Sequence, residues 1–309
     1  MKAIVYRTYG SPDVLRLQDV PTPVAKDGEV LVQVHAVALN PFDWHLLRGE
    51  PYVVRPTSGW RTPKRNIPGI DVAGRVEAVG KNVTRFRPGD AVYGEKSRGC
   101  AEYVAGAEHL FSPLPAGLTF GQAAAIPVAA ITALQALRDK GKVQPGQAVL
   151  VNGASGGVGT FAIQIAKFFG AVVTGVCSAS NEDLVRSLGA DDVIAYDRES
   201  FTRAGRRYDL IVDMIGNHSL RSLRRSLTPT GTLVTVGGPK GKWILGTLVQ
   251  MVVARVLTRP GGQQLLSMLT DVRNEDLVTM TKLVEAGTVR PVIDRTYPLA
   301  EVPDAIRYL

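Results

Sequence analysis

The sequence predicts an α/β protein built from a barrel-like antiparallel unit and a doubly wound parallel sheet. Three observations carry this. Residues 1–120 break into short apolar or alternating runs separated by Gly, Pro and Asp clusters, as antiparallel strands do. From Gly121 the chain becomes Ala-rich and then alternates strands with helices, which predicts parallel strands joined by right-handed crossovers. Within that half, residues 149–167 read as strand, glycine-rich turn and helix in unbroken succession.

In order, strands are expected at 2–6, 14–19, 29–39, 72–79, 91–94 and 101–104. Gly10-Ser11-Pro12-Asp13, Lys26-Asp27-Gly28 and Arg87-Pro88-Gly89-Asp90 are the intervening turns, and Asp27-Gly28 between two runs is a hairpin signal. The polar, Pro-rich stretch 49–68 is long enough for a functional lid or rim. After the helical stretch 121–137, strands at 148–151, 172–177, 192–196, 209–215 and 231–237 alternate with helices at 181–188 and 219–227 and the helix after the glycine turn. Residues 243–257 are the most apolar run, yet 15 residues containing Gln250 and Arg255 fall short of a membrane span of about 20. A buried or pocket-lining helix is expected there, with a lipid or subunit contact as the other reading. An amphipathic helix at 274–286 follows, with Asn274 as cap and Gly287 as stop, then a strand at 292–297 and a helix from 303.

Composition narrows the function. At 309 residues two domains are the better expectation, and 45% hydrophobic residues suffice for real cores. The chain opens on a strand-like run, so no signal peptide is expected. Two distant cysteines, Cys100 and Cys177, argue against a disulfide framework and for a reducing, cytoplasmic setting. The net charge of +8 is dispersed, only 6% of residues are aromatic, and no recognition helix stands out, so nucleic acid is not the expected partner. The basic balance is either a solvated surface or a field that draws in a phosphate-rich cofactor.

The glycine turn has a definite chemistry. Asn152-Gly153-Ala154-Ser155-Gly156-Gly157-Val158-Gly159 is a dinucleotide fingerprint with Ala154 in the usual first glycine position. Gly156 lets the backbone approach a pyrophosphate, Gly159 lets the helix lie close on its strand, and the free amides at the helix start face the anion. Gly153, Ser155, Gly156, Gly157, Val158 and Gly159 are therefore expected to bind cofactor.

The order of motifs resembles the medium-chain dehydrogenase/reductase superfamily, in its zinc-independent quinone-oxidoreductase branch. The matching residues run from Met1 to Tyr6 and through Gly10-Ser11-Pro12-Asp13-Val14-Leu15, Asn40-Pro41-Phe42-Asp43 with Arg48-Gly49, and the stretch 67–76. They continue through Val79-Gly80, the stretch 86–94, the fingerprint, Leu188-Gly189-Ala190-Asp191 and Val292-Ile293-Asp294. The group containing mitochondrial reticulon-interacting reductases is especially similar, through Val176-Cys177-Ser178 and Asp191-Asp192-Val193-Ile194. The resemblance implies a GroES-like domain at 1–121, a Rossmann NADP-binding domain at 122–258 and a return segment at 259–309. It also implies a homodimer, with substrate in a cleft between domains. The family pattern runs a helical turn and a strand beyond Leu309, so the chain reads as truncated there.

The alcohol dehydrogenase branch is expected to carry a Cys before the first helix, a Gly-His-Glu after a proline and a four-Cys lobe. Here those positions read Leu39-Asn40-Pro41 and Pro68-Gly69-Ile70-Asp71, and the lobe is absent. No metal is expected. Without a Lewis acid for an alkoxide, hydride delivery to a quinone or an α,β-unsaturated carbonyl remains. An NAD reader would place Asp or Glu at the end of the second strand; Val176-Cys177-Ser178-Ala179-Ser180 has none, which favours NADP(H). By resemblance, Ser178 and Tyr196 border the 2′-phosphate, though the family's following Lys is replaced by Asn181 and Glu182, with Arg186 a turn later. Thr132, Val236, Gly237 and Gly238 lie by resemblance near the nicotinamide.

Asn40 and His45 are the expected catalytic pair: the imidazole replaces a Tyr often found in the family and is a competent donor near neutral pH. A turn cap and a structural histidine are the plainer readings. Asp43 either joins the pocket or pairs with Arg48, and Tyr52 and Tyr93 either wall the pocket or are loop aromatics. Two other functions fit: a trans-enoyl thioester reductase whose acyl tunnel the 243–257 helix lines, and a catalytically idle NADPH-binding sensor or assembly protein.

Overall fold

The computed structural model describes residues 1–50, 52, 55–64, 66–236 and 261–309. The chain divides into two compact units, Met1–Val128 with Val272–Glu285 and Pro291–Leu309, and Ala129–Asp271 with Ala286–Arg290.

In the first unit β1 (Lys2–Val5) and β2 (Arg16–Asp19) form an antiparallel pair. Strands β3 (Glu29–Ala38), β4 (Asp71–Val79), β5 (Ala91–Glu95), β6 (Tyr103–Ala107) and β7 (Phe111–Pro113) form an antiparallel sheet in the order β6-β3-β4-β5-β7. Its inward residues Val30, Val32, Val72, Val76, Val92, Val104 and Phe111 make one core. Each is a β-branched or aromatic side chain on a pleated surface, and each fully buried Val contributes about 1.5–3 kcal/mol. Helix α1 (Pro41–Arg48) starts at Asn40, where Pro41 supplies a preset φ, and stops at Gly49 in the left-handed region (φ 60°). Short helices α2 (Arg55–Ser58) and α3 (Phe120–Ala124) precede α4 (Pro127–Leu134), which continues as wider π-type turns over Gln135–Lys140.

The second unit holds β8 (Ala148–Asn152), β9 (Val172–Cys177), β10 (Asp192–Ala195), β11 (Tyr208–Asp213), β12 (Leu227–Val236) and β13 (Gln264–Met268). All pairs are parallel, in the order β10-β9-β8-β11-β12-β13. That is the doubly wound order, in which the strand order reverses between β8 and β11. Leu150, Val176, Ile194, Ile211, Leu233 and Leu265, one from each strand, share a single core cluster. Helices α5 (Gly157–Phe168), α6 (Glu182–Ser187) and α7 (Leu220–Arg225) follow β8, β9 and β11. The chain then supplies α8 (Asn274–Glu285) and α9 (Val302–Tyr308) to the first unit. Val302 and Ile306 of α9 pack with Ala3, Ile4 and Val5 of β1.

The α/β architecture is as the sequence predicts; three local readings are not. Asp27-Gly28 makes a turn, but β2 pairs with β1 and β3 with β4 and β6, so it closes no hairpin. The stretch 292–297 is coil, largely exposed, and no strand among the described residues pairs with it; its Arg295 lies over the Tyr308 ring instead. Val14 belongs to a 3-10 turn (Pro12–Val14) rather than a strand. The expected 243–257 helix lies outside the described residues.

Candidate active site

Six of the sequence-predicted residues lie on the turn after β8 and the first turn of α5. Gly153 takes φ +93°, and a Cβ there would meet Ile215 at 2.9 Å. Its amide and that of Ala154 donate to the Val176 carbonyl, which fastens the turn to the end of β9. Gly159 lets α5 press on this turn: a Cβ would stand 2.0 Å from the Gly153 oxygen. Gly156 is different. Exposed at the start of α5, it has ordinary φ (−78°), and an added Cβ would meet only the Gly153 oxygen at 3.4 Å. The protein's own packing does not require a glycine there, whereas an anion resting on the amides would. No side chain caps α5, so its first-turn amides remain available to one. The turn therefore fits the pyrophosphate of a dinucleotide, at the switch point where such ligands bind.

A network that the sequence reading missed braces this point. Asn152 Nδ2 donates to Asp213 Oδ1 (2.8 Å) and Asn217 Oδ1 (3.2 Å), and Asp213 Oδ1 also accepts the Ile215 and Gly216 amides. The signal was present: Asn152 ends the apolar run of β8 and Asp213 follows the apolar run 210–212 of β11, on the side where ligands gather.

At the end of β9, Ser178 and Ser180 share a hydroxyl hydrogen bond of 2.9 Å. Asn181 Nδ2 donates to both Ser178 Oγ (3.1 Å) and Ser155 Oγ (3.3 Å), joining two predicted residues. Tyr196 is 62% exposed, and its amide donates to the Cys177 carbonyl. The next residue, Asp197, accepts the Ala179 amide (3.2 Å). Thr132 is buried on α4, its hydroxyl 2.5 Å from that of Thr270. Val236, half-buried, ends β12 opposite Met268. Gly237 and Gly238 lie outside the described residues.

In the first unit half-buried Asn40 joins the buried carboxylates of Asp43 and Asp71 in a polar cluster. Asp43 accepts the Asn40 amide (2.9 Å) and the Gly69 amide (2.8 Å). It makes no pair with Arg48, which lies over the Trp44 ring at 4.5 Å; the carboxylate closes the first turn of α1 instead. Asn40 Nδ2 donates to Asp71 Oδ2 (3.0 Å), and Asp71 also accepts the Val128 amide at the start of α4 (3.1 Å). Burial pushes the Asp43 carboxyl up to about 6, against the amides of Asn40 and Gly69. Burial also drives Asp71 well above the usual carboxylate range, and the charges of Asp43 and Glu95 add to it. His45 Nδ1 sits 2.8 Å from the Glu50 carbonyl. Tyr52, 40% exposed, stacks under the Arg55 guanidinium. Tyr93 is fully buried, its hydroxyl donating to the Leu277 carbonyl and meeting Thr281 (both 2.9 Å); it anchors α8.

The donor set does not fit a zinc ion. Among the described residues no three His, Cys, Asp or Glu side chains could hold a metal. Both cysteines are buried and free, and burial pushes the Cys100 thiol well up, away from a thiolate ligand.

The fold and the dinucleotide turn define a two-unit nicotinamide-type oxidoreductase, and comparison places it. Residues 26–178 match the alcohol dehydrogenase GroES-like domain and residues 188–309 the zinc-binding dehydrogenase domain. The chain is 34% identical to the chloroplast envelope quinone oxidoreductase homolog of Arabidopsis thaliana, over 99% of its own length and 93% of the relative's. It is 34% identical to the 2-methylene-furan-3-one reductase of Solanum lycopersicum, over 100% of this chain and 76% of that one. The quinone oxidoreductase structure from Coxiella burnetii superposes with a TM-score of 0.86 at 31% identity, covering 100% of this chain and 95% of that one. The protein belongs to the medium-chain dehydrogenase/reductase superfamily, in its quinone-oxidoreductase branch.

Proposed function

We propose that the protein is a zinc-independent reductase that uses NADPH to reduce quinones or α,β-unsaturated carbonyls. The observation that carries this is the open cradle at Gly156, set at the switch point on an uncapped helix start. The bound coenzyme would supply a hydride; the chain supplies position and electrostatics. The amides from Gly157 to Gly159 hold the pyrophosphate, and the Ser178 hydroxyl faces the 2′-phosphate. Asn40 orients the acceptor, its amide fixed by Asp71. His45 provides the proton that the reduced acceptor takes up. Relatives named as quinone oxidoreductases and as a furanone reductase support both acceptor classes.

The test is a paired titration with NADPH and NADH followed by oxidation with quinone and enal panels. Coenzyme oxidation by either panel supports the reading. Tight NADPH binding without turnover would replace it with a sensor role.

A further inference from the structure

We propose that Asp197 sets the coenzyme preference by holding the Ser178 turn against a 2′-phosphate, so that NADH competes with NADPH. The inference rests on the coenzyme reading above and names the residue that limits it.

Along its own sequence the turn is neutral from Cys177 to Ser180. The fold changes that. Tyr196 extends the β9–β10 ladder by one bond to Cys177, and the following residue brings its carboxylate onto the turn from the neighbouring strand. Asp197 Oδ1 stands 3.2 Å from the Ala179 amide and Oδ2 3.4 Å. A phosphate oxygen within hydrogen-bond distance of that amide would lie no more than about 6 Å from Oδ1. Like charges so close repel, whereas a ribose hydroxyl in the same place donates to the carboxylate, as it does in NAD readers.

The surrounding charges do not cancel the effect. Arg198, next in sequence, is turned to Glu182 at 3.0 Å. Burial raises the Cys177 thiol, and Glu182 and Asp197 raise it further against Arg186, so the negative pair is felt at the residue before Ser178. The acid that the second strand lacks is thus delivered by the third.

The test measures dissociation constants of NADPH and NADH, by nicotinamide fluorescence, for the wild type, Asp197→Asn, Asp197→Lys and Ser178→Ala. Asp197 is exposed, and melting temperatures check that the variants remain folded. The ratio of the NADH to the NADPH constant should rise about tenfold in Asp197→Asn and further in Asp197→Lys, with the difference shrinking in added salt. Ser178→Ala should weaken NADPH and leave NADH unchanged. A ratio within twofold of wild type in both Asp197 variants, with both coenzymes bound, overturns the role of Asp197 alone. A wild type that binds neither coenzyme overturns this proposal together with the reading beneath it.

Discussion

Two glycines three residues apart do opposite work, and substitution separates them. A side chain at Gly159 collides with backbone at 2.0 Å, so Gly159→Ala should destabilise the protein by about 1–3 kcal/mol, read as a lower urea midpoint. Gly156→Val meets little within the protein, so the melting temperature should stay while the coenzyme dissociation constant rises at least tenfold. Unchanged binding in that variant would remove the pyrophosphate from this turn. At His45 the argument is one of donors and acceptors. A carbonyl only accepts, so Nδ1 carries its hydrogen toward Glu50, and a neutral ring leaves Nε2 an acceptor. His45 therefore gives up a proton only as imidazolium. His45→Gln should cut kcat about a hundredfold and leave coenzyme affinity intact. Full turnover in the variant would reassign the proton to another group. The donor set around these residues fits no zinc, so treatment with a chelator should leave turnover unchanged.

At the level of elements, the start of α1 stores a pH dependence. Asp43 holds its proton more firmly when folded, with a value of about 6 in place of 3.8. Between about pH 4 and 6 the native state therefore binds more protons than the unfolded chain, and stability falls as pH rises through that window, by about 3 kcal/mol. Asp71, raised in the same direction, adds to the fall. Urea midpoints at pH 4.5 and 6.5 measure it, and Asp43→Asn should flatten the slope while lowering stability overall, because one of two amides loses its acceptor. The same elements show what the sequence could disclose. The glycine turn and the strand–helix alternation are local patterns, and the parallel sheet follows from them. Asp71 with Val128, Asp197 with Ala179 and Tyr93 with Thr281 join residues 57, 18 and 188 positions apart, and no spacing rule pairs them. Reading the second strand alone for an acid therefore misses the one that β10 delivers. The run 292–297 misled for the converse reason: its strand-like composition finds no partner strand among the described residues.

Across the whole molecule the two units differ in how the chain builds them. The second draws nearly all its residues from the continuous stretch Ala129–Asp271. The first needs both ends, because α9 completes a core with β1: Val302 and Ile306 pack against Ala3, Ile4 and Val5, and Arg307 bridges to Asp13. Joining residues nearly a full chain length apart carries a loop-closure cost that grows only slowly with length. An acid at Ile306, a position 1% exposed, would place a charge in that core and should destabilise the first unit by about 4 kcal/mol or more. The dinucleotide turn, wholly within the second unit, is untouched by the change. Ile306→Asp should therefore unfold in two thermal steps, with the coenzyme dissociation constant unchanged. Saturating NADPH, at a hundred times that constant, should stabilise the later step by about 2.7 kcal/mol and leave the earlier one in place. A single transition that the coenzyme shifts as a whole would show that the units unfold together, and that the ends of the chain support the coenzyme site as well as their own core.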